Sequence, residues 1–177
     1  SLLRPNSAER ELALDINAQA SELGLHVRRW GLAHSLTEGE ESLDIMIGEK
    51  GYLRQFEKYS KPFMKALLSK SYQLDVEKVA ESKQQIDTIV EQLNQRLIDN
   101  HGRYFVGERL GLADISVCSM LAPLLDIAGT PWEKEHTEIL SKEFKDYKER
   151  LTQLPIGQYV LRVYQTERNA RVDWRGI

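Results

Sequence analysis

The sequence holds a single cysteine, Cys118. No internal disulfide is therefore available, and a reducing, cytoplasmic setting is the simpler expectation. Histidine is scarce too: the four, at positions 26, 34, 101 and 136, share no i, i+4 spacing with one another or with the cysteine, so no metal-binding pattern is present. No glycine-rich phosphate loop follows a strand, and the G-x-S-x-G of a serine hydrolase is missing. No apolar run reaches the ~20 residues that a bilayer crossing requires, and no signal peptide is visible. An excess of positive charge is also lacking: the formal charge is -3 and the pI is near 5.9, which gives no general attraction to nucleic acid or anionic lipid. Repeats and low-complexity tracts are absent, and Tyr104-Phe105-Val106 is too short to make a strand without a partner. What remains is a chain of 177 residues, expected to fold as one domain over 1–177. A chain of this size buries about 70% of its unfolded surface, enough for a real core.

The densest apolar stretch sets the architecture. From 112 to 128 only Asp114, Ser116, Ser119, Pro123 and Asp126 interrupt the apolar residues. A helix without a polar face has to be wrapped by other helices, so a buried central helix is expected over 112–128. Gly111 falls at its N-cap, and Asp114, three residues on, is placed to reach back to the Gly111 amide as the acid half of a capping box. Its charge also suits the first turn. The competing role for Asp114 is a catalytic acid, but no second carboxylate or imidazole stands beside it. Cys118, with no Lys, Arg or His within a turn, reads as a core thiol rather than a nucleophile.

Along the chain, Asn6 and Glu9 start a long amphipathic helix with Leu12, Ile16, Ala20, Leu23, Val27 and Trp30 on its apolar face. Gly24 and Gly31 each weaken that helix by ~1 kcal/mol, so each answers a packing need or marks a bend. Near its end Arg28, Arg29, Trp30 and His34 gather within two turns, either as an anion site or as core ring, surface arginines and a C-terminal imidazole. The segment 37–50 reads as a loop. Tyr52 and Phe56 make a narrow apolar stripe over 51–59, and Ser60-Lys61-Pro62 is a helix start followed by Phe63, Met64, Leu67 and Leu68. The lysines Lys58, Lys61, Lys65 and Lys70 read as a solvated face. Asp75 caps the most regular helix, with Val76, Val79, Ile86, Ile89, Val90, Leu93 and Leu97 on one side, and Asn100-His101-Gly102 ends it. Beyond the central helix come a turn at Gly129-Thr130-Pro131-Trp132 and a helix over 137–154 carrying Leu140, Phe144, Tyr147 and Leu151. Pro155 ends that helix, and a last amphipathic helix follows with Ile156, Tyr159, Val160, Val163 and Tyr164. The tail 169–177, with Arg171, Trp174 and Arg175, either folds back over a groove or frays. The fold class is all-α.

The segment Gly107-Glu108-Arg109-Leu110-Gly111-Leu112-Ala113-Asp114-Ile115 resembles the glycine, apolar and S/T-x-A-D segment that opens the buried central helix in the C-terminal all-helical domain of cytosolic glutathione transferases. Val27-Arg28-Arg29-Trp30, Ala122-Pro123-Leu124-Leu125 and Pro155-Ile156-Gly157-Gln158-Tyr159-Val160-Leu161-Arg162 resemble a bacterial and plant-type branch of that family, so the likeness runs nearly end to end. The departure is Gly111, where the family favours Ser or Thr. The resemblance implies a helical bundle around the 112–128 helix and a division of labour. In that family glutathione, and the group that stabilises its thiolate, sit mainly on an N-terminal thioredoxin-like domain. The helical domain adds a wall for a small hydrophobic co-substrate and part of a homodimer interface. A thioredoxin-like domain upstream of Ser1 is thus the expected partner, and this chain alone is expected to be inactive. Trp30 and His34 on the first helix and Met120 on the central helix are the expected co-substrate wall; no residue is assigned to catalysis or metal binding. The alternative is a stand-alone, non-catalytic interaction module of the same fold.

Overall fold

The computed structural model describes residues 6–37, 57–128, 130 and 141–168, apart from the side chains of 35–37, 57–61 and 64. Among these residues there are six helices: α1 (Ser7–Thr37), α2 (Glu57–Ser71), α3 (Val76–Asp99), α4 (Leu112–Leu125), α5 (Lys142–Gln153) and α6 (Pro155–Thr166). The loop expected over 37–50, the stripe of Tyr52 and Phe56, most of the Gly129 to Trp132 turn, the first part of the 137–154 helix and the tail 169–177 lie outside the described residues.

α1 begins where Asn6 Oδ1 accepts the Ala8 amide at 2.9 Å. Its buried face is Ala13, Ile16, Ala20, Leu23, Val27 and Trp30, stepping by three and four. Leu12, expected on this face, is 42% exposed, and Ala13 takes its place. The two lie about 100° apart round the helix, and α1 turns Ala13 rather than Leu12 toward its neighbours. α3 runs antiparallel to α1, with Arg96 in its last turn pairing with Asp15 at 2.7 Å. α4 packs on the other side in parallel sense, with Ser116 Oγ donating to Asn17 Oδ1 at 2.6 Å near one end. At the next turns Gly24 permits the close approach: a Cβ there would stand 2.3 Å from Met120 Sδ. Gly31 has nothing within 4 Å of the same position. Gly31→Ala is therefore expected to stabilise the fold by about 0.5–1 kcal/mol, the helix-propensity gain alone, and to raise Tm by about 2 °C in a thermal melt.

α2 starts at Glu57, earlier than the Ser60-Lys61-Pro62 signal, and carries Pro62 inside it at the loss of one backbone hydrogen bond. Phe63 and Leu67 point outward, 67% and 47% exposed. Gln73, at φ 51°, turns the chain, and the Leu74 amide closes back on the Ser69 carbonyl at 3.0 Å. Asp75 then caps α3, accepting the Lys78 amide at 2.9 Å. α3 buries Ser82, Ile86, Ile89, Val90, Leu93 and Leu97, whereas Val76 is exposed rather than on the core side. It ends as the sequence indicates, with His101 and Gly102 at positive φ and the Gly102 amide donating to the Leu97 carbonyl at 2.8 Å.

α4 is buried on nearly every side and packs against α1, α5 and α6. It stops at Leu125 rather than at 128, because Asp126 adopts a left-handed conformation at φ 52°, where Lys148 of α5 pairs with its carboxylate at 3.1 Å. α5 is capped by Ser141, and Leu154 alone separates it from α6. The first amide of α6 not excused by Pro155, that of Ile156, donates to Asn94 Oδ1 of α3 at 2.9 Å.

Candidate functional site

The most polar feature of the interior lies at the start of α4. Asp114 is 0% exposed. Its Oδ2 accepts the Gly111 amide at 2.8 Å, the half capping box expected for these two residues. Its Oδ1 accepts two further donors, the Phe105 amide at 2.8 Å and the Tyr159 hydroxyl at 2.5 Å. One carboxylate thus fastens its own helix, the 104–106 turn and α6. The Phe105 ring meets Tyr159 edge to face at 5.5 Å, sealing the site from water. The link to Tyr159 is not visible in the spacing of Gly111 and Asp114. The available signal was that a tyrosine on the apolar face of α6 needs a partner for its hydroxyl.

This arrangement ties three segments of the chain together. Burial first, then the charge and hydrogen bond of Asp114, push the Tyr159 phenol far above its ordinary range. Burial, with Asp114 adding to it, likewise pushes the Cys118 thiol up, so the lone cysteine is a core residue and not a thiolate. Tyr147, on α5, is raised by burial and by Asp87.

The three residues expected to line a co-substrate wall fall in two places. Trp30 is only 1% exposed. Its indole stacks on Phe144 at 5.3 Å and 9°, meets Tyr147 at 5.2 Å, and lies 4.6 Å from the His34 ring. A ring so enclosed is an anchor that ties α1 to α5. His34 is half-buried beside it. Ser141 Oγ, which accepts the Phe144 amide as the cap of α5, is 3.0 Å from His34 Nδ1, and Glu143 is 3.7 Å from Nε2. Met120 is half-buried at the α1–α4 seam opposite Gly24, six residues or about 9 Å of helix away from Trp30. The structure thus joins Trp30 and His34 on α5 and leaves Met120 apart from them.

The Arg28, Arg29, Trp30 and His34 group does not form an anion site either, because these side chains leave α1 in different directions. Arg29 reaches α3 and the α2–α3 turn, donating from Nε to the Tyr72 carbonyl at 2.9 Å and from Nη1 to Ser82 Oγ at 3.0 Å. Trp30 points into the core and Arg28 is exposed. Between α3 and α5, Asp87 accepts from Lys83 at 2.6 Å and from Arg150, and both cations lie over the Tyr147 ring. Among the described residues no three His, Cys, Asp or Glu side chains are grouped to hold a metal ion, and no helix is long and apolar enough to cross a membrane.

Comparison with known families yields a match to the glutathione S-transferase C-terminal domain over residues 57–159, from the start of α2 to Tyr159 of α6. Neither a curated protein nor a solved structure matches the chain. The matched stretch is more than half of the 177 residues and contains both the capped start of the buried helix and the tyrosine that completes it. With a helical bundle in which α1, α5 and α6 pack on the buried α4, the chain belongs to the glutathione S-transferase C-terminal domain family.

Proposed function

We propose that this chain is the helical half of a glutathione-dependent transferase, working beside a thioredoxin-like domain that binds glutathione. The observation that carries the reading is the open apolar surface of α1 and α4. Leu14 and Leu25 of α1 and Ile115 of α4 remain 48%, 48% and 41% exposed on two helices that pack on one another. Apolar surface left open in this way serves a second domain, a second copy or an apolar co-substrate. Met120, at the seam of these two helices, and His34, in the last turn of α1, belong to the proposed co-substrate wall. Conjugation further needs a donor aimed at the glutathione sulfur; among the described residues Cys118, Tyr147 and Tyr159 are buried, and the Tyr159 hydroxyl is already given to Asp114. The thiolate-stabilising group is therefore assigned to the partner domain.

The test is calorimetry with glutathione and a conjugation assay with a chloro-nitroaromatic acceptor, on this chain alone and joined to a thioredoxin-like domain. The chain alone is expected to bind glutathione no better than about millimolar, through exposed arginines such as Arg28, and to give no turnover. The joined protein is expected to turn over. Micromolar binding by the chain alone would overturn the division of labour. A joined protein without activity would favour the stand-alone interaction module instead.

A further inference from the structure

A polar contact between α1 and α3 lies outside the proposed function. Ser82 is fully buried, 0% exposed, in the otherwise apolar stripe of α3. Its Oγ is 3.0 Å from Arg29 Nη1 and 3.2 Å from His26 Nδ1. A guanidinium only donates, so Ser82 accepts from Arg29; the His26 tautomer decides whether the Ser82 hydroxyl donates to Nδ1 or accepts from it, and the latch proposed below takes the donation to Nδ1. That donation requires a neutral imidazole carrying its hydrogen on Nε2. Arg29 at the same time donates from Nε to the carbonyl of Tyr72, the residue that follows α2. One guanidinium therefore fastens the α2–α3 turn to α1, and the hydroxyl that orients it is itself oriented by His26.

We propose that His26, Ser82 and Arg29 form a latch that holds the α2–α3 turn on α1 while His26 is neutral and releases it when His26 takes up a proton. Protonation fills Nδ1 with hydrogen, so the buried Ser82 hydroxyl loses its acceptor, and it sets a second cation beside Arg29. The charged groups facing His26 are Arg29 and Glu22 from α1 and Glu81 from α3, the last held by Lys78 at 2.7 Å. The turn contributes the Tyr72 carbonyl. Burial first, then Arg29, lower the His26 pKa against the smaller opposing pull of Glu22 and Glu81. The folded state thus binds this proton less readily than the unfolded one. The contribution of the latch is complete above about pH 6.5, the unfolded value, and is lost as the pH falls below it. α2 is the element free to respond, since among the described residues none of its side chains belongs to the buried core.

Amide hydrogen exchange, corrected for the intrinsic pH dependence, tests this on the full chain at about pH 7.5 and about pH 5. In the wild type the α2 amides are expected to open about tenfold more readily at the lower pH, with α4 unchanged. His26→Gln, whose amide oxygen accepts from Ser82 at either pH, is expected to remove the acid response. Ser82→Ala is expected to loosen α2 at both pH values. Equal α2 protection at the two pH values in the wild type would overturn the latch, as would a full acid response in His26→Gln or unchanged α2 exchange in Ser82→Ala.

Discussion

Replacing Gly157 by alanine is expected to destabilise the protein by about 3 kcal/mol or more and to lower Tm by about 6–12 °C. Gly157 is buried in the first turn of α6, and a Cβ there would stand 1.9 Å from the Leu151 carbonyl oxygen and 2.7 Å from its carbon. Those are backbone atoms of α5, not the end of a side chain that swings aside. Leu154 alone joins the two helices, so they separate only if one of them unwinds at its end. The helix-propensity gain of alanine over glycine, about 1 kcal/mol, is outweighed. Gly31→Ala is the matched control: the same chemical change in a helix with open space, and the opposite expected sign. A Gly157→Ala protein melting at or above the wild type would refute the close packing of α5 on α6.

The second large effect belongs to Asp114. A solvent-exposed helix cap is worth about 0.5–2 kcal/mol, which is what Gly111 and Asp114 promise when read from spacing alone. Here the same carboxylate also holds the Phe105 amide and the Tyr159 hydroxyl in a site closed to water. Asp114→Ala strands three buried donors, and a stranded donor costs about 1–3 kcal/mol. A loss of about 3–5 kcal/mol is expected, seen as a lower urea midpoint at unchanged slope. Tyr159→Phe removes one donor and leaves Oδ1 bonded to Phe105, so it is expected to cost only about 1 kcal/mol. If Asp114→Ala cost no more than Tyr159→Phe, the carboxylate would be a simple cap and not the tie between three segments.

These two residues mark the boundary of what the sequence makes legible. Local rules identify the cap at Asp75, the stop at Gly102, the helix break at Pro155 and the apolar stripes from Ile16 to Trp30 and from Ile86 to Leu97, because each depends on neighbours a few positions away. Whatever depends on where another helix ends or lies is hidden. Leu12 and Ala13 differ in burial because the packed neighbours, not the local spacing, choose which edge of the α1 stripe faces inward. Gly24 and Gly31 are alike in sequence, but only the former meets Met120. The enclosure of Trp30 by Phe144 and Tyr147, more than a hundred positions later, is hidden in the same way. The buried central helix was legible from composition, and its third fastening, Tyr159, was not.

The pairing of α1 with α4 also bears on how the chain is made. Asn17 and Ser116, which meet across that seam, are 99 positions apart. At about 5–20 residues per second, a ribosome needs roughly 5 to 20 s to travel from one to the other. During that interval Ile16, Ala20 and Leu23 have no α4 to cover them, and α3 arrives first to cover only one flank. The nascent chain therefore carries the apolar face of α1 uncovered well before the partner that closes it has been synthesised.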